Sequence, residues 1–98
     1  MVMHVISPRA IRDAQSKHHH SASALTAWLR LLEANNFKSF AELKQTFSSV
    51  DKVGKFCVFD VGGNKLRIIT VIHFNRGKIY VRAVLTHKEY DQGYWSKL

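Results

Sequence analysis

Ninety-eight residues make one domain, 1–98, because a chain of this size buries roughly 60 to 68 per cent of its unfolded surface and fills a single modest core. Fifteen Lys and Arg against seven Asp and Glu give a formal charge of +8, which favours nucleic acid as partner over an acidic membrane surface or an acidic protein. No apolar run approaches the roughly 18 residues of a membrane span and no apolar leader opens the chain, so the expectation is a cytoplasmic protein without a membrane segment. Cys57 is the one cysteine, which rules out an internal disulfide or a cysteine-rich zinc site. Its setting in Phe56-Cys-Val-Phe59 reads as packing.

In chain order, Met3-His-Val-Ile6 is a short apolar segment expected as a first strand at a sheet edge. Ser7-Pro8 reads as an N-cap followed by proline at the first helical position, where the missing N–H is not needed. Ala10, Ile11 and Ala14 then give a short amphipathic helix. His18-His19-His20 lies in a polar break before a second helix over residues 23–34, with Leu25, Trp28, Leu29 and Leu32 on one side. The two helices should form a hairpin. Three consecutive histidines cannot face one ion from a regular helix, and no acidic or cysteine ligand stands beside them, so no metal site is assigned.

Ser39-Phe-Ala-Glu42 has the spacing of a capping box and starts a third helix that buries Phe40, Leu43 and Phe47. Residues 48–54 read as a polar loop. Three strands are expected next, over residues 55–60, 66–73 and 78–85, with Gly62-Gly63-Asn64 and Asn75-Arg76-Gly77 supplying the turns. Thr86-His-Lys-Glu89 repeats the capping-box spacing and opens a brief last helix through Tyr90 and Asp91. The aromatic Trp95 in the tail either packs back on the sheet or meets a partner, and the sequence leaves both open. Early helices and a late meander predict an α+β domain: an N-terminal strand and helices packed on one face of a small antiparallel sheet, with a short C-terminal helix.

Strand parity divides the residues between two faces. Lys65 and Arg67 share one face while Leu66 and Ile68 take the other. On the next strand Lys78, Tyr80 and Arg82 point one way, and Ile79, Val81, Ala83 and Leu85 the other. One face is then core and the other a basic and aromatic platform, on which Arg67 and Arg82 are expected within one cleft.

The motifs Val61-Gly-Gly-Asn-Lys-Leu-Arg67, Ile79-Tyr-Val-Arg-Ala-Val-Leu85 and above all Thr86-His-Lys-Glu-Tyr-Asp91 resemble the HigB toxin family of the RelE-like group. His4-Val-Ile-Ser7 and the stretches Phe40-Ala-Glu-Leu-Lys44 and Asp51-Lys-Val-Gly54 match as well, so the resemblance covers nearly the whole chain. It implies a RelE-like fold and the toxin of a type II toxin–antitoxin pair: an endoribonuclease that cuts mRNA, typically on the ribosome, and blocks translation. It also implies a helix-turn-helix HigA-type antitoxin as partner, and arginines on the central strands with a His or Tyr near the C-terminus as the working groups.

The chemistry can be built from the residues themselves. Cutting RNA without a metal or other cofactor needs the 2′-OH to attack the adjacent phosphate, with a proton acceptor, a donor to the leaving 5′-oxygen, and cations for the developing charge. Arg67 and Arg82 are assigned to transition-state stabilisation, since guanidinium stays charged and forks onto phosphate oxygens. Lys65 either stabilises charge or, with its pKa lowered by cationic neighbours, moves a proton. His87 and Tyr90, at i and i+3 on one turn, supply the acid and base, the phenol alternatively orienting phosphate or stacking on a base. Lys78, Tyr80 and Lys88 add RNA contacts. A non-catalytic RNA- or ribosome-binding module would use the same cations, but it would not need the His87 and Tyr90 pair.

Overall fold

The computed structural model describes residues 3–6, 9–63 and 65–97; the expected cap at Ser7-Pro8 and the turn residue Asn64 lie outside these. Strand β1, His4–Ile6, leads into helices α1, Arg9–Lys17, and α2, Ala22–Glu33, with a single 3-10 turn at His19–Ser21 between them. Helix α3, Phe40–Thr46, precedes β2, Asp51–Val53, β3, Phe56–Val61, β4, Leu66–His73, and β5, Lys78–Thr86. Helix α4, His87–Asp91, and a 3-10 turn at Tyr94–Lys97 complete the described chain.

The sheet has the order β1-β5-β4-β3-β2. The pairs β2–β3, β3–β4 and β4–β5 are antiparallel, as short turns require. The expectation of a wholly antiparallel sheet is corrected at its edge, where β1 pairs with β5 in parallel, His4 opposite Lys78 and Ile6 opposite Tyr80. The α1–α2 hairpin and α3 intervene between β1 and the rest of the sheet, a connection long enough for a parallel partner. A second correction is β2, which lies inside the expected polar loop 48–54. Two of its three residues are charged and exposed, so it carries no apolar alternation to betray it. Its ladder to β3 and the turn at Gly54, φ +58°, make it a strand.

Helices α1 and α2 cover one face. Ile11 and Ala14 from α1, and Leu25, Trp28 and Leu32 from α2, are buried against Phe59, Val61, Leu66, Ile68, Ile79 and Val81 of the sheet. Trp28 meets the Phe59 ring edge-on at 5.3 Å, and Phe47 meets it from another side at 5.1 Å. Gly62 and Gly63, at φ +70° and +63°, form the β3–β4 turn. A Cβ at Gly62 would stand 3.0 Å from Ser21 Oγ, so the turn also needs glycine to seat against the helical hairpin.

The other face is not a bare platform. Phe56, Val58, Ile69 and Trp95 are buried there, with Val53, Val71, Ala83, Leu85 and Tyr90 packed around them. The parity expected for β5 holds through Arg82 and fails beyond it. Ile69 pairs with Ala83 and Thr70 with Val81, which leaves Arg82 as the extra residue of a β-bulge. Beyond the bulge the faces exchange, so Ala83 and Leu85 join this second cluster while Val84 faces the helices. Trp95, open in the sequence reading, packs back on the sheet. It stacks on Tyr90 at 4.9 Å and donates from Nε1 to the Tyr90 carbonyl oxygen at 2.9 Å.

Candidate functional site

The turn at Gly62-Gly63 sets Asp60 directly opposite Arg67 across β3 and β4. Arg67 points to the face away from the helices, its side chain only 13% exposed, and its Nη1 donates to the Asp60 carboxylate. Arg67 Nη2 reaches His87 Nδ1 at 3.2 Å, and its guanidinium lies 5.3 Å from the centre of the Tyr90 ring. His87 Nε2 in turn lies 3.2 Å from Asp91 Oδ2. One guanidinium therefore joins a carboxylate, an imidazole and a phenol ring.

Helix α4 places His87 and Tyr90. Its capping box forms in full: Thr86 Oγ1 accepts from the Glu89 N–H at 3.2 Å and Glu89 Oε1 accepts from the Thr86 N–H at 2.9 Å. These bonds, the backbone one foremost, hold the Glu89 carboxyl below the ordinary carboxylate range. The box fixes the angle at which the chain leaves β5, and the Trp95 bond holds the other end of the turn.

A cleft of about 160 Å³ opens beside Arg67, lined also by Ser49, Asp51, Val58, Asp60 and Tyr90. Asp60 and Asp91 were not among the residues predicted from sequence. Asp60 could have been found by reading the pairing outward from the glycine turn, which puts it across from Arg67. Asp91 stands four residues after His87, one helical turn on.

The remaining predicted residues lie elsewhere. Arg82 does not share the Arg67 cleft; it is exposed at its bulge and lines a second cleft on the same face with Lys55, Val71, His73 and Tyr80. Tyr80 meets His73 edge-to-face at 5.4 Å. Lys65 is exposed and borders a third cleft with Lys17, His18, His19, His20 and Thr86. Lys88 is exposed on α4, and Lys78 sits at the start of β5 opposite His73. Among the described residues no three His, Cys, Asp or Glu side chains gather around one point as a metal site.

A sequence model of the HigB toxin, described as the RelE-like toxic component of a toxin–antitoxin system, matches residues 21–93. The chain belongs to the HigB toxin family. It is 39% identical over 92 residues to the "mRNA interferase toxin HigB" of Escherichia coli K12, covering 91% of this chain and 88% of that protein. The "mRNA interferase HigB" of Shigella flexneri matches to the same extent. That of Escherichia coli O6:H1 strain CFT073 is 32% identical over 93 residues, or 92% of this chain and 90% of the relative. The matched span of the HigB family takes in α2, the four strands β2 to β5 and α4. All the groups around Arg67 thus fall within it. The chain is therefore the toxic component of a toxin–antitoxin system, and an antitoxin partner follows from that membership. No helix among the described residues is long and apolar enough to cross a membrane.

Proposed function

We propose that this toxin is a metal-independent endoribonuclease that cuts mRNA on the translating ribosome and so blocks translation. The observation that carries the reading is Arg67 held between Asp60, His87 and Tyr90, a fixed cation beside a proton carrier at the mouth of a cleft. A binding surface needs the cation but not the imidazole backed by Asp91. The names borne by the relatives support the same activity.

Cleavage needs the 2′-OH of one nucleotide to attack its own 3′-phosphate as the 5′-oxygen of the next nucleotide leaves. Arg67 holds the phosphate oxygens and stabilises the charge that grows on them; its guanidinium is preorganised by Asp60, so little reorganisation remains at the moment of reaction. His87 moves a proton, with Asp91 fixing its ring. Tyr90 either donates a proton to the leaving oxygen through its hydroxyl or presents its ring to a base. Lys88 and Lys65 add positive charge around the RNA, and the chain's +8 charge draws the substrate in. The partner antitoxin is a HigA-type helix-turn-helix protein, which silences the toxin by covering this face or by holding it off the ribosome. The expected place of action is the cytoplasm, where ribosomes and mRNA meet.

Primer extension on mRNA from cells expressing the chain tests the reading. New 5′ ends within translated regions are expected, appearing with the loss of protein synthesis. Translation that stops while every message stays intact would overturn it.

A further inference from the structure

We propose that the cleft of Lys55, Val71, His73, Tyr80 and Arg82 is a second RNA subsite, which stacks one base on the Tyr80 ring and grips an adjoining phosphate with Arg82 and Lys55. It rests on the reading of the chain as an RNA-cutting toxin and adds where the strand runs and which nucleotide is sensed.

The two clefts occupy one face but are separate. Val71, the pairing partner of Tyr80, is four residues along β4 from Arg67, about 13 Å at the usual strand rise. Between them stands the apolar wall of Trp95 over Ile69, Phe56 and Val58. Phosphates on one strand of a duplex are about 3.4 Å apart along the axis and farther apart in an extended strand. A nucleotide in the second cleft is thus removed from the cut by more than one position, and Arg82 grips the strand rather than the reacting phosphate.

The cleft has the composition that single-stranded RNA requires, an aromatic face flanked by cations. Tyr80 is half-buried, while His73, Arg82 and Lys55 are exposed. The perpendicular contact with His73 restrains the Tyr80 ring, so less side-chain freedom is lost when a base stacks on it. Arg82 shares this face with Tyr80 by strand parity, and the bulge leaves it with no paired residue on β4. Without the extra residue it would occupy a paired position and Ala83 would not reach the second cluster.

The test is an abasic scan of a ribosome-bound mRNA. One abasic nucleotide is placed in turn at each position flanking the cut, and parent, Tyr80→Ala and Tyr80→Phe are titrated in single-turnover cleavage. Toxin binding to the same complexes, made non-cleavable by a 2′-deoxy nucleotide at the cut, is measured in parallel. At one position, more than one nucleotide from the cut, removing the base should weaken parent binding about 5- to 150-fold, the range of a single base–aromatic stack. Tyr80→Ala should show the same loss on intact RNA and no further loss on that abasic RNA. Its half-saturating concentration should rise by more than its plateau rate falls, and Tyr80→Phe should restore most of the affinity. Arg82→Ala and Lys55→Ala should each reduce the salt dependence of binding by about one counterion.

Losses from Tyr80→Ala and base removal that add at every position would overturn the subsite, as would a fall in plateau rate with affinity kept. A parent that shows the coupled binding loss yet cuts nothing would overturn the nuclease reading and leave the subsite standing.

Discussion

Arg67 Nη2 lies 3.2 Å from His87 Nδ1, and because a guanidinium can only donate, that nitrogen is the acceptor and the proton of the neutral ring sits on Nε2, facing Asp91 at 3.2 Å. The lone pair that would take a proton is therefore occupied by Arg67 in the RNA-free toxin. In the proposed reaction, Arg67 turning its outer N–H groups to a phosphate would release Nδ1 as a base. On that proposal, substrate binding and activation of the base would be one event, and both would depend on the same guanidinium.

Replacing Arg67 by Ala should lower cleavage by about 10² or more, the cost of losing a preorganised donor. Arg67→Lys should not restore the rate, since a single ammonium cannot hold Asp60, His87 and a phosphate together. The Asp60–Arg67 pair is largely covered, with side chains 22% and 13% exposed. Arg67→Ala should therefore also destabilise the fold by about 1–3 kcal/mol through the loss of this covered, charge-assisted bond. In a double-mutant cycle of Asp60→Ala and Arg67→Ala, read by urea unfolding, the two losses should be less than additive.

Trp95 bears on the site through Tyr90. Its ring fills the second cluster and its Nε1 holds the Tyr90 carbonyl oxygen. Trp95→Ala should cost about 3 kcal/mol or more in stability. Cleavage should fall even where the variant is still fully folded, because α4 loses its anchor. Trp95→Phe, which keeps the packing and drops the bond, should lie between the two.

The pH response of α4 follows from Glu89. Its carboxyl is held below its ordinary value of 4.5 by the Thr86 bonds, so the folded state binds the proton less tightly than the unfolded chain. This stabilisation is fully present above the unfolded value and is lost as pH falls through the folded one. Acid should loosen α4, and Glu89→Gln should flatten the acid limb of a melting-temperature profile.

Cys57 should be inert at neutral pH. Burial pushes its thiol above the ordinary value of 9.0, with Lys52 opposing the shift. The folded state binds this proton more tightly, so the associated stability is complete below the unfolded value and is lost as pH rises through the folded one. Alkylation by iodoacetamide should be slow in buffer and fast in denaturant.

Most of the helices and the three main strands were legible because apolar periodicity and capping residues act locally. Ser39 accepts from the Glu42 N–H as its spacing predicts, and the Thr86 box forms completely. The parallel pairing of β1 was not legible, since a partner so distant in sequence leaves no local mark. The bulge at Arg82 was also hidden. Alternation across Ile79 to Leu85 looks unbroken in sequence, and only pairing with Ile69 and Thr70 reveals the extra residue that turns Ala83 and Leu85 to the other face. Arg67, His87 and Tyr90 were found as a set because a strand parity and one helical turn place them, whereas Asp60 needed the hairpin register.

The most direct test of the account is single-turnover cleavage of ribosome-bound mRNA by the parent, Arg67→Ala, His87→Ala and Tyr90→Ala, with EDTA present and toxin binding measured alongside. The parent should cut in EDTA; His87→Ala should still bind but cut about 10² to 10⁴ more slowly, the usual contribution of a positioned proton carrier. Cleavage by His87→Ala and Tyr90→Ala at the parent rate, or a parent that binds ribosomes and cuts nothing, would contradict it.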